Sequence, residues 1–187
     1  MATDEQVQEL KEKMREQRAE LVDAARQLTE EDALRVPVDA EGEEQWTALE
    51  QLAHLGEMER TYGAWIRAAL AEDGTDLGKI PWQQVEVPIE EANRHSVEEL
   101  LRILEMERAY TFGLIDGIPL EGFERTAVSP MFGSLTVLQW LRSFYRHDRQ
   151  HGAQIQGRVS DYQPKFKGKE PNQRLARLQQ VARREGR

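Results

Sequence analysis

Apolar residues at the start of the chain recur at helical spacing: Val7, Leu10, Met14, Leu21, Ala24 and Leu28 keep a seven-residue register, with Gln17 filling one core position. This pattern predicts a long amphipathic helix over residues 4–28, ending before Val36-Pro37. Thr47-Ala48-Leu49-Glu50 has the form of a capping box, in which the Thr side chain accepts from the first turn and the Glu reaches back. A second helix therefore runs to about Glu72, with Leu52, Leu55, Met58, Tyr62, Trp65, Ile66 and Ala69 on its apolar side.

Gly74, Gly78, Pro81 and Pro88 interrupt the next stretch, which reads as a long crossover with a short helical lead-in near Ile89. Ser96-Val97-Glu98-Glu99 caps a third helix carrying Leu100, Leu101, Leu104, Phe112 and Ile115, stopped by Gly117 and Pro119. After an irregular segment from Leu120 to Gly133, Ser134 is expected to open a fourth helix whose inward stripe is Val137, Leu141, Phe144, His147, His151 and Ile155. No segment shows two-residue alternation between hairpin turns, so no sheet is expected, and no internal repeat is evident. The fold class is all-α: a four-helix bundle with a long crossover between helices 2 and 3. Residues 1–159 form the bundle domain, and residues 160–187 form a basic C-terminal extension with a short helix expected around Gln173 to Arg183.

A chain of 187 residues with 39% hydrophobic positions is the size of one domain with a real core. It has no cysteine, which excludes protein thiolate nucleophiles, thiolate metal sites and iron–sulfur clusters. Its longest run without Asp, Glu, Lys or Arg, Thr126 to Leu141, contains Pro130 and Gly133 and does not resemble a membrane span. The charged first residues lack the apolar core of a signal peptide, so a cytoplasmic location is expected. Residues 158–187 carry nine basic against three acidic side chains, leaving 16 against 31 in the body. That acidic body repels phosphate backbones, so no nucleic acid is expected to bind the main domain, and the basic tail reads as a solvated segment that docks on it.

The chemistry lies in the histidines. His147 and His151, four residues apart, share one helix face one turn apart, a geometry that lets two imidazoles bind one divalent ion. The alternative is a pair of core or surface histidines bonded to carbonyls and water. His54 shares a face with Met58 and Trp65 and supplies a third imidazole from another helix, making an open site with room for water or substrate. His95, just before Ser96, reads as a helix-entry residue and is left out. In His147-Asp148-Arg149-Gln150-His151 an Asp stands where a zinc protease has its Glu base, and no histidine has a Glu three residues before it, as a ferritin-like di-iron centre requires.

Trp46, Thr47, Glu50 and His54, the Gly/Ser/Thr-led last helix, and the closing His147-Asp148-Arg149-Gln150-His151 followed by Gln154 and Ile155 together resemble the DinB-like (damage-inducible, YfiT-like) family of metal-binding four-helix bundles. The resemblance implies a metal triad of His54, His147 and His151 holding a divalent metal, zinc, nickel or iron, completed by waters. It also implies a metal-dependent transferase or isomerase that uses a low-molecular-weight thiol as cofactor on a small-molecule substrate; Trp65 and Tyr62 are the residues against which an electrophile is expected to lie. The alternative is a non-catalytic metal-binding stress-response module. The stripe of the first helix also offers a seam for a homodimer, although the intramolecular core needs the same residues.

Overall fold

A computed structural model describes residues 1–36, 45–81 and 83–162, so the helix expected in the tail lies outside the described residues. The helices are α1 (Asp4–Arg26), the short α2 (Glu30–Leu34), α3 (Ala48–Ala71), α4 (Val97–Asp116) and α5 (Val137–Ile155). The four long helices all begin on reciprocal capping boxes: Thr3 with Gln6, Thr47 with Glu50, Ser96 with Glu99 and Thr136 with Gln139. Each box satisfies two backbone donors that a helix start would otherwise leave open. Among the described residues no helix is long and apolar enough to cross a membrane.

Residue pairs fix the helix directions. Leu21 lies against Gly152 and Arg18 reaches Asp148, so α1 and α5 run parallel. Gly56 faces Ile103 and Leu104, and Arg60 pairs with Glu107, so α3 and α4 also run parallel. Trp65 packs on Trp140 and His54 on His151, which makes α3 and α5 antiparallel. Arg18 donates to the Leu104 carbonyl while Arg26 pairs with Glu98, which makes α1 and α4 antiparallel. Two parallel neighbours joined in sequence need a connection that travels back along the bundle. Residues 72–96 are that crossover. Leu77, Val87, Ile89 and Ala92 are buried along it, and Asn93 Oδ1 accepts from Thr47 Oγ1 at 2.7 Å beside the start of α3.

Two expectations are corrected here. The structure contains a small sheet in the order β1 (Thr75–Asp76), β2 (Thr126–Ser129), β3 (Gly133–Thr136), with β1 parallel and β3 antiparallel to β2. Strands of two to four residues are too short for alternation to register in sequence. The same sheet moves the start of the last helix: Ser134 is in β3, and Thr136 is the N-cap of α5. Gly133 enters β3 at φ 79, a left-handed conformation that glycine adopts without strain.

The core has two halves. One is rich in aromatics, with Tyr62, Trp65, Phe123, Trp140 and Phe144; the other is aliphatic, with Leu21, Leu49, Leu52, Leu100, Leu104 and Ile155. A buried charged layer crosses the bundle with one residue from each long helix: Arg18, Glu59, Arg108 and Asp148. Arg18 forks onto Asp148, with Nε to Oδ2 at 3.1 Å and Nη2 to Oδ1 at 2.9 Å, and reaches Glu59 Oε2 at 2.7 Å. Arg108 donates to Glu59 Oε1 at 2.6 Å and to Asp148 Oδ2 at 2.8 Å. Burial alone would raise the Asp148 carboxyl, but Arg108 and then Arg18 outweigh it and hold the group below the ordinary carboxylate range. Burial also works against the charge on Arg108, which Asp148 and Glu59 nevertheless hold above its ordinary value. The sequence register placed Gln17 in the core of α1; the buried residue is Arg18, because these carboxylates give its guanidinium partners there.

The layer is reciprocal. Arg18 donates to the carbonyl of Leu104, four residues before Arg108, and Arg108 donates to the carbonyl of Met14, four residues before Arg18. Exchanging α1 with α4 and α3 with α5 therefore maps the layer onto itself. Within α3 and α5 the sequence carries part of this relation. Thr47 and Thr136 each lie twelve residues before the layer carboxylate of their helix, and Leu49/Leu138, Leu52/Leu141, Arg60/Arg149, Gly63/Gly152 and Ala64/Ala153 are identical in the same register.

Candidate metal centre

The antiparallel α3–α5 seam brings His54 together with His147 and His151, which their four-residue spacing places on one face of α5. His147 Nε2 lies 3.3 Å from His54 Nε2 and 3.0 Å from His151 Nε2, and one ring nitrogen from each of the three histidines lies within 4.8 Å of the others. Among the described residues this is the only group of three or more His, Cys, Asp or Glu side chains placed to hold a metal ion. His54 and His151 are buried and His147 is half-buried. The donor set fits a divalent ion: imidazole nitrogens 2.0–2.1 Å from one ion sit about 2.9 Å apart at a right angle and about 3.4 Å apart at the tetrahedral angle. Both short separations fall in that interval.

Neighbouring groups aim the rings. Gln51 Nε2 donates to the Trp46 carbonyl at 3.3 Å, which orients the amide and turns Oε1 toward His151. His151 Nδ1 donates to that oxygen at 3.0 Å, and the resulting tautomer leaves the Nε2 lone pair pointing at the other two rings. The Trp46 ring meets His54 edge-on at 4.7 Å between centroids, and Tyr62 lies 6.3 Å from His147. Sequence reasoning passed over Gln51. Its signal was a glutamine directly before Leu52, inside the apolar face of α3 and three residues before His54.

Asp148 faces away from the triad into the charged layer, so it is no general base there. His95 ends a 3₁₀ turn at the entry to α4, its Nδ1 3.7 Å from the Glu99 carboxylate, and takes no part in the site. Tyr62 and Trp65 stack at 5.2 Å on the aromatic side of the triad.

The sequence profile of the DinB superfamily matches residues 13–155, spanning the bundle and all three histidines. The chain belongs to the DinB superfamily. The solved structure of YfiT from Bacillus subtilis, described as a probable metal-dependent hydrolase with an unusual four-helix bundle topology, is similar to it. The TM-score is 0.64 at 17% identity, covering 84% of this chain and 87% of YfiT, a likeness of fold. No curated protein matches the sequence. In this DinB-superfamily bundle the histidine-bearing helices α3 and α5 run antiparallel, and that arrangement sets two imidazoles from one helix against one from the other.

Proposed function

We propose that this chain binds one divalent metal through the Nε2 atoms of His54, His147 and His151 and acts as a metal-dependent transferase or isomerase using a low-molecular-weight thiol. The observation that carries the reading is the convergence of three neutral nitrogen donors with no carboxylate among them, which leaves coordination positions for exogenous ligands. A divalent ion held there supplies Lewis acidity, lowering the pKa of a coordinated thiol so that a nucleophile exists at neutral pH. With no cysteine in the chain, the thiol comes from outside the protein. The chain's own contributions are orientation and shelter. Gln51 fixes the His151 tautomer, Trp46 shields His54, and the Tyr62–Trp65 pair offers an apolar wall for an electrophilic small molecule.

YfiT's description favours a second reading, in which the activated nucleophile is water and the reaction is hydrolysis. Metal analysis of the full chain beside His147→Ala tests the centre: about one metal per chain in the parent and none in the variant is expected. Incubating the metal-loaded protein with electrophile and thiol panels and reading product mass separates the chemistries. A thiol adduct or an isomerised product of unchanged mass supports the first reading, and addition of water supports the second. A loaded protein that turns over nothing in either panel is a metal-binding module.

A further inference from the structure

We propose that the buried layer of Arg18, Glu59, Arg108 and Asp148 sets the aim of the three histidines, with Asp148 as a positioning residue for His147 and His151. The inference rests on the metal-centre reading above. Each ligand-bearing helix contributes one carboxylate to the layer. Asp148 lies directly after His147 and three residues before His151 on α5, and Glu59 lies five residues after His54 on α3. The same two guanidiniums hold both carboxylates, and they come from α1 and α4, the long helices that carry no ligand.

The geometry fixes rotation and axial position together. The Arg18 fork uses both oxygens of Asp148, so α5 cannot turn without breaking a bidentate pair in the interior. A slip of one residue would rotate the histidines by about 100°, and a slip of one turn would carry them about 5.4 Å along the seam. The reciprocal bonds to the Leu104 and Met14 carbonyls, at 2.9 and 2.8 Å, pin α1 against α4 in the same plane. The leucines and aromatics above and below do not define that register alone, since apolar side chains recur at every turn and repack readily. Buried ion clusters contribute little net stability relative to well-packed apolar residues, and fixing register is their best-attested use.

Cobalt(II) titration of the full chain, followed by visible absorption with a thermal melt in parallel, tests this. An apolar layer, Arg18→Met with Glu59→Leu, Arg108→Met and Asp148→Leu, is expected to stay helical and melt no lower than the parent while binding cobalt roughly 10- to 100-fold more weakly. Its d–d band is expected to move. Arg18→Lys, which keeps the charge and loses the fork, is expected to fall between the two. A folded apolar-layer variant with the parent's affinity and spectrum overturns the proposal. If that variant does not fold, the same result in folded Asp148→Asn overturns it. Equal cobalt binding by the parent and His147→Ala instead sinks the metal centre itself, and the positioning role with it.

Discussion

Two polar clusters share α5 and differ in how they are completed. In the charged layer two guanidiniums meet two carboxylates, and each side chain finds partners within the protein. In the triad three similar donors converge with no anion among them, an arrangement that the proposed metal would complete. Both are largely buried and each draws on more than one helix, so neither burial nor sequence distance tells one kind of cluster from the other. Charge balance does. Breaking a closed cluster by removing one partner is therefore expected to cost stability, whereas removing a member of the open one is expected to cost ligand binding and little stability.

The largest effect is expected on the closed side. Arg108→Met leaves Glu59 and Asp148 with a single shared cation, and losing one partner of a buried ion cluster costs about 3–5 kcal/mol. Urea unfolding should show this as a lower midpoint with an unchanged slope, whereas metal-free His147→Ala should unfold close to the parent. Similar large losses in both would erase the distinction. On the open side, zinc or nickel at 100 times its dissociation constant should stabilise the parent by about 2.7 kcal/mol. His147→Ala should gain none of this. Calorimetry with and without metal makes the comparison, and an equal gain in the variant would place the ion elsewhere.

Gln51→Leu sharpens the contrast, because it removes the acceptor that fixes the His151 tautomer while keeping an apolar side chain of similar size. Metal affinity should fall roughly 10- to 100-fold with little change in metal-free stability. An unchanged dissociation constant would mean that His151 needs no second partner. Thr47→Ala removes the α3 cap and the bond to Asn93, at about 1 kcal/mol. Metal affinity measured in the same variant should hold, because His54 lies two turns inside the helix.

The triad was legible in sequence because it rests on a short spacing within one helix plus a histidine on the apolar face of another. The helices were legible for the same reason, as Leu100, Leu104 and Ile115 keep time over whole turns. The charged layer was not. Arg18, Glu59, Arg108 and Asp148 have the composition of a solvated surface, and only the fold brings their opposite charges into one plane. The pairing of Thr75–Asp76 with Thr126–Ser129 was hidden for a related reason: its information lies in contacts some fifty residues apart. The twelve-residue spacing from cap to carboxylate in α3 and α5 was present in the sequence but acquires meaning only when the two guanidiniums show which residues correspond.

Asp73 is the exposed counterpart of Asp148 and gives the smallest expected effect. Its carboxylate accepts from the Thr126 backbone N–H at 2.7 Å and the Thr126 hydroxyl at 2.9 Å, tying the end of α3 to β2. Those two bonds, the backbone one first, hold its pKa below the ordinary 3.8. A carboxyl depressed on folding contributes stability above its unfolded pKa and loses it as pH falls through the folded value. Asp73→Asn keeps an acceptor oxygen and removes only the charge. The parent should therefore exceed the variant slightly at pH 6, with the gap narrowing once the pH drops below 3.8. Paired urea titrations across that range read the gap directly, and a gap that widened toward acid would mean that folding raises the Asp73 pKa. Solvent screens this exposed group as it does not screen Asp148, so the same chemistry that anchors the bundle inside should leave only a faint pH signature at the surface.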